Sequence, residues 1–374
     1  MWGKITNNYV LLESLQRKMV GAGDMAGISA AYLAGIALMS VIKPDPEVLY
    51  AAGSAGLAGS LAMLLFFCRK HSGPAIALLL FFLLGIFTYC SGELGSAIVR
   101  QRSGMAQTAF AALRKTISRA GLGKDSEALV SALLTGDRNS LSRDVVAAFR
   151  DAGAAHILAL SGLHLGIIYG LFKKVMSWTG RSRPSEILTS ATAVCAAGFY
   201  VLMTGCSASV IRAFLFICFN EAARLCPGRR RSPLTIYAAA LTVQLAFDPA
   251  AVTSAGFQLS YLAMLGIYLL FPRLEAWFPG SGKNPLKRIW DSAAITLSCQ
   301  VFTAPLVWWY FRSFPLYFLI TNLVALPLTE ALIICAAAAI TATAAGLCPP
   351  PLIHLVDILA GALTGFLEAV ASIS

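Results

Sequence analysis

From residue 25 to the C-terminus the sequence passes through one apolar stretch after another, most of them long enough for a helix to cross a bilayer. Lipid offers nothing to backbone N–H and C=O groups, so a chain made of such stretches folds as helices that satisfy those groups internally. The runs are 25–42, 48–68, 74–92, a histidine-bearing run from 154 to about 172, 187–204, 207–225, 233–247, 252–271, 293–310, 314–327, 331–347 and 352–373. The expected fold is all-α: a polytopic integral membrane bundle of roughly ten or eleven transmembrane helices. Several are short or broken, as half-helices lining a cavity are. A 57% apolar and 13% charged composition excludes an ordinary soluble domain, which is about a quarter charged. Residues 1–23 hold no apolar core ahead of Asp24, so no leader is expected.

The net charge of +11 does not by itself call for nucleic acid, because basic residues crowd the cytoplasmic connections of membrane proteins. Lys and Arg divide unevenly between alternate connections. Arg69, Lys70, Lys173, Lys174, Arg181, Arg183, Arg224, Arg229, Arg230, Arg231, Arg273, Lys283, Lys287 and Arg288 fall on one side, whereas the opposite short connections carry little beyond Lys43 and Arg312. The bias places the N-terminus in the cytoplasm and 93–151 outside. That interval is too charged to span and reads as amphipathic helices over 106–120, 126–134 and 142–152 at the membrane surface. Nine cysteines with no CxxC pair, most within apolar runs, give no disulfide framework.

Chemistry-bearing residues gather in four places. The run AAHILALSGLHLGIIYG (154–170) carries His156, Ser161 and His164 in an apolar setting, where polar side chains usually face a cavity or bundle interior. Ser161 and His164 share a face if the run is helical. Gly162, Gly166 and Gly170 form a smooth face for close helix approach. The stretch TGCSASVIRAF (204–214) places Arg212 within an apolar run without an acidic neighbour. Ser207 and Ser209 stand near the start of its helix, where free N–H groups attract anions. Gln258 and Tyr261 share a face of GFQLSYLAMLG, for which hydrogen bonding between helices is an equal explanation. Pro305, Pro315, Asn322 and Pro327 suggest a broken or re-entrant segment over 314–327.

HILALSGLHLG, TGCSASVIRAF, AGFQLSYLAMLGI and NLVALPL, in that order, resemble the competence domain of the ComEC family from about Ala128 to Leu328. The resemblance implies an inner-membrane channel that carries single-stranded DNA inward during natural transformation. It divides the chain into N-terminal transmembrane helices (1–92), an extracytoplasmic amphipathic segment (93–153) and a competence transmembrane domain (154–374). ComEC proteins commonly carry an extracytoplasmic OB-fold, but 93–151 is short and reads helical. Many also carry a C-terminal metallo-β-lactamase-like domain. Only His71, His156, His164 and His354 are present, with no H-x-H-x-D-H run, so no nuclease metal centre, cofactor or enzymatic activity is expected. Besides single-stranded DNA and membrane lipids, the implied partners are a DNA receptor, a helicase-like motor and a separate nuclease, with a homo-oligomer left open.

His156, Ser161, His164, Ser207, Ser209, Arg212, Gln258, Tyr261 and Asn322 are the candidate substrate path, with no catalytic or metal-binding residue among them. Sparse charge suits a pore that must release its polymer. Two alternatives stay open: transport of another anion such as a lipid phosphate or nucleotide, and an intramembrane hydrolase using Ser161 and His164. The topology has a direct check. In a background without native cysteines, Arg230→Cys should resist an impermeant thiol reagent applied from outside, and labelling there would reverse the assigned orientation.

Overall fold

The computed structural model describes residues 25–42, a few positions between 55 and 89, and 104–176, 183–225, 233–278, 280, 284–312, 317–347 and 349–373. The expected lead-in over 1–23 and nearly all of the run 48–68 lie outside the described residues. Those described are 87% helical and include no strand. In chain order the helices are α1 (Met25–Ile42), α2 (Gly104–Arg119), α3 (Lys124–Thr135), α4 (Arg143–Asp151), α5 (Ala155–Leu158), α6 (Gly162–Met176) and α7 (Arg183–Met203). They continue with α8 (Ala208–Leu225), α9 (Pro233–Phe247), α10 (Ala255–Leu269), α11 (Phe271–Ala276), α12 (Pro285–Phe311), α13 (Phe318–Ala344) and α14 (Pro350–Ala371). A 3₁₀ turn, Pro249–Thr253, precedes α10. Among the described residues five helical spans have the length and hydropathy to cross a membrane: 185–203, 255–276, 285–311, 318–344 and 350–371. The expected all-α membrane architecture is what the chain adopts.

Contacts divide the chain into two units, residues 1–101 with 218–288 and residues 102–217 with 289–374. In the first, α1 packs along α9, where Ser29 Oγ donates to the Ala238 carbonyl at 3.0 Å and lies 2.7 Å from Thr242 Oγ1. On its other side α1 crosses the helical stretch 81–86 at a pair of glycines. A Cβ on Gly35 would fall onto the Phe82 carbonyl, and one on Gly85 onto the Tyr32 carbonyl. Each backbone thus occupies the space the other glycine leaves, as small-residue crossings in membranes allow.

In the second unit one core is formed by α2 to α5 with α13 and α14. Leu129, Leu133, Phe149 and Leu158 meet Leu332, Ile333, Leu363 and Leu367, all buried. From Ala128 to Thr135 every residue of α3 is buried. The charge of Lys124, Asp125 and Glu127 belongs only to its first turn, so a helix expected at the membrane surface lies inside the protein. Its N-terminus has no cap of its own; Asp357 Oδ1 of α14 accepts the Gly123 N–H at 3.1 Å. A second core joins α6, α7 and α8 through Leu165, Tyr169, Ala197, Tyr200 and Val210.

The expected break over 314–327 is absent from the part of that stretch the structure describes, while Phe314, Pro315 and Leu316 lie outside the described residues. From Phe318 onward α13 is one helix with Pro327 inside it, and α12 likewise continues through Pro305. A proline here removes one intrahelical hydrogen bond, which packed neighbours in a membrane bundle tolerate.

The glycine crossing yields a stability contrast. Gly35→Ala and Gly85→Ala should each cost about 1–3 kcal/mol through overpacking. Gly361→Ala, at a position in α14 where a Cβ meets nothing within 4 Å, should be neutral or stabilising through helix propensity. Thermal unfolding in detergent, followed by the loss of monodisperse protein, separates the two classes.

Candidate functional site

The run from Ala154 to Gly170 does not form the single helix its apolarity suggests. One turn, α5, ends at Leu158; Ala159 is extended (φ −76°, ψ 129°), and the helix restarts after Ser161. An unwound backbone among buried side chains needs partners for its polar groups, and local side chains supply two. Ser161 precedes α6 and caps it, its Oγ accepting the Leu163 N–H at 3.3 Å. His164, one turn on, reaches back so that its Nδ1 accepts the Ser161 N–H at 3.1 Å and lies 2.9 Å from Ser161 Oγ. This is the reciprocal capping box of helix N-termini, with histidine where glutamate or glutamine usually stands.

That geometry sets the tautomer. An Nδ1 that accepts a backbone N–H carries no proton, so the neutral ring holds its proton on Nε2. His164 is only 1% exposed, and its Nε2 has no hydrogen-bond partner among the described residues. Leaving a buried donor unmatched costs about 1–3 kcal/mol.

The break is also braced from α2 to α4. The turn after α3 is left-handed at Gly136 (φ 78°), and a Cβ there would lie 2.6 Å from Leu160 Cδ1, so the turn sits against the break. Arg138 Nε donates to the Leu158 carbonyl at 3.0 Å, satisfying the end of α5. Beside it, Asp137 Oδ2 pairs with Arg114 Nη1 of α2 at 3.1 Å, and Asp137 Oδ1 accepts the Asn139 N–H. Sequence reasoning passed over this cluster. Its signal was a glycine followed by Asp-Arg-Asn at the end of a strongly apolar segment.

Arg212 reaches the same junction from α8. Helix α7 ends in a Schellman motif: Gly205 is left-handed (φ 88°), Cys206 N–H bonds to the Val201 carbonyl at 3.0 Å and Gly205 N–H to that of Leu202 at 3.4 Å. The chain reverses at once into α8, and Phe214 packs 3.1 Å from the Cβ position of Gly198 on α7. Arg212 lies one turn into α8 and is 8% exposed. A Cβ on Gly162 would stand 3.0 Å from Ala213 Cβ and 3.6 Å from Arg212 Nη2, so the start of α6 rests against the arginine.

The structure therefore brings Ser161, Gly162, His164 and Arg212 to one junction, with exposed His156 on the preceding turn, α5. Ser207 and Ser209 stand at the opening of α8, where the Ser207 carbonyl accepts the N–H groups of Val210 and Ile211. The glycine face is uneven: at Gly166 a Cβ would meet nothing within 4 Å, and Gly170 is half-buried. Gln258 and Tyr261 belong to the first unit and hold local structure there. Gln258 Nε2 donates to the Val252 carbonyl at 2.7 Å, and buried Tyr261 donates to Gln244 Oε1 at 2.9 Å. Asn322 sits near the start of α13, its Oδ1 buried without a hydrogen-bond partner among the described residues. No three His, Cys, Asp or Glu side chains among the described residues are grouped to hold a metal ion.

Comparison with known proteins places this junction inside a matched region. The family model described as "Competence protein" matches residues 133–374. The chain is 29% identical over 206 residues to ComE operon protein 3 of Bacillus subtilis, covering 55% of this chain and 25% of that one. It is 29% identical over 214 residues to competence protein ComA of Neisseria gonorrhoeae, covering 54% and 28%. An uncharacterized Escherichia coli protein, YcaI, is 26% identical over 208 residues, covering 54% and 27%. The chain thus matches about a quarter of the length of these relatives. No solved structure matches it.

The capping role of His164 is open to test. Gln at this position can still accept the Ser161 N–H, whereas Leu cannot. His164→Gln should retain more thermal stability than His164→Leu by about 1 kcal/mol, and Ser161→Ala should lose a similar amount. Equal destabilisation by Gln and Leu would remove the cap from the account.

Proposed function

The chain belongs to the competence protein family, and on that footing we propose that it is the membrane conduit of a DNA-uptake system, passing single-stranded DNA into the cytoplasm of a bacterium. The observation that carries the reading is the junction of α6 and α8, where a buried, permanently charged guanidinium lies against a glycine at the start of the helix that carries a histidine donor unmatched among the described residues. A guanidinium presents a planar fork of donors that suits phosphate oxygens. His164 adds a neutral donor, so a passing backbone is attracted without being held by a dense positive field. One of the relatives is named as a competence protein and another for the ComE operon, which supports a role in competence. The proposed setting is the cytoplasmic membrane with the N-terminus inside. A DNA receptor, a helicase-like motor and a nuclease on other chains would complete the pathway.

The 2.9 Å contact of Ser161 with His164 favours a hydrolase as the second reading. Against it, the Nδ1 lone pair that would take the serine proton is shared with the Ser161 backbone N–H, and Ser161 Oγ already accepts the Leu163 N–H. Both side chains are accounted for by helix capping.

Internalisation of labelled DNA by a deletion strain carrying Arg212 variants tests the proposal. Arg212→Leu should lower uptake about tenfold or more, and Arg212→Lys less, because lysine keeps the charge without the fork. Membrane insertion and surface-bound DNA should be unchanged in both. Full uptake by a normally inserted Arg212→Leu protein, or loss of uptake of a nucleotide or lipid phosphate in place of DNA, would overturn the assignment.

A further inference from the structure

The sequence from the end of α12 to the start of α13 reads WWYFRSFPLYF (308–318), seven of its eleven residues aromatic and none acidic. The last turn of α12 shows what part of it does. Trp308, Trp309, Tyr310 and Phe311 are 55%, 67%, 40% and 59% exposed. Successive helix residues point about 100° apart, so four exposed in a row present rings around the whole of this turn. At about 1.5 Å per residue the 27-residue helix is about 40 Å long, more than the hydrocarbon core of about 30 Å. Its first turns carry Lys287, Arg288 and Asp291, so the aromatic end emerges at the opposite boundary.

Aromatic rings at a membrane boundary are ordinary lipid contacts. What lipid contact does not call for is the arrangement of Arg312. This residue ends α12 in the left-handed region (φ 52°), where glycine is the usual occupant, and its N–H bonds to the Trp308 carbonyl at 3.0 Å. Its guanidinium stands over the Trp309 ring, 5.5 Å from its centroid. A cation over one ring beside further exposed rings, in no ion pair among the described residues, offers flat faces for bases and a charge for phosphate.

We propose that the aromatic end of α12, Trp308 to Phe311 with Arg312 stacked on Trp309, is a platform on which the bases of single-stranded DNA stack before the strand enters the membrane. The inference rests on the reading of single-stranded DNA as substrate and on the orientation that puts Arg312 outside. Stacking of this kind is indifferent to sequence, because every base has a π-face. Recognition by the platform is therefore of single-strandedness.

The test uses the full chain in nanodiscs of zwitterionic lipid, with oligo(dT) and an abasic phosphodiester of equal length as probes. Oligo(dT) should bind about tenfold more tightly than the abasic strand. The double substitution Trp308→Leu and Trp309→Leu, at sites already exposed, should erase that preference, and Trp308→Phe with Trp309→Phe should restore most of it. Arg212→Leu should keep the preference while losing uptake, so failure of the conduit reading and failure of the platform are told apart. Equal binding of the two strands, or a preference untouched by the leucine substitutions, overturns the proposal. So does quenching of both tryptophans by brominated lipid that oligo(dT) does not relieve, which would assign them to the bilayer.

Discussion

A backbone that leaves the helical conformation among buried side chains must find hydrogen-bond partners outside its own ladder, and most of what surrounds α6 follows from that requirement. Between Leu158 and Ser161 the chain is unwound. Arg138 satisfies the outgoing carbonyl and His164 the N–H that begins the next helix. Each donor or acceptor arrives on an element that must itself be held. Arg138 sits on a turn secured by the Arg114–Asp137 pair and by the contact of Gly136 with Leu160. Tyr200 of α7 adds a tie from the other side, donating to the Leu134 carbonyl at 2.8 Å. A local interruption of one helical run thus recruits three other helices, α2, α3 and α7.

The same economy shapes the arginine. A buried guanidinium is expensive in a membrane protein, and its position has to be specified closely for that expense to yield function. The specification comes from the backbone: two left-handed residues, Gly205 and Cys206, reverse the chain between α7 and α8, and Gly162 lets α6 approach without displacing Ala213. The placement depends on where side chains are absent.

Much of this was legible in the sequence, and the limits follow from range. The positions of Ser207, Ser209 and Arg212 at the start of a helix, and most apolar runs among the described residues, depend on neighbours in the chain, so they read correctly, whereas the runs 314–327 and 331–347 join in one helix from Phe318 to Ala344. The interruption at Ala159 was invisible, because AAHILALSGLHLGIIYG contains no proline and its serine looked like a helical face rather than a cap. The opposite error came at Pro327, where a breaker sits inside a continuous helix because packing tolerates the lost bond. Burial of α3 was hidden by three charged residues confined to its first turn. The facing of Gly35 and Gly85 could not be inferred either, since nothing in either stretch names its partner.

The position of α3 also has a consequence for how the molecule is made. Its buried face is completed by α13 and α14, and the group that caps its N-terminus, Asp357, lies 234 residues further along the chain. At a synthesis rate of about 5–20 residues per second, the ribosome delivers that partner roughly ten to fifty seconds after Gly123 emerges. Throughout that interval an apolar segment too short to span the bilayer must wait with its core face uncovered. Helices α13 and α14 complete this core by returning to a segment translated long before them, and until they do, part of its apolar face needs shelter from a chaperone or the lipid surface.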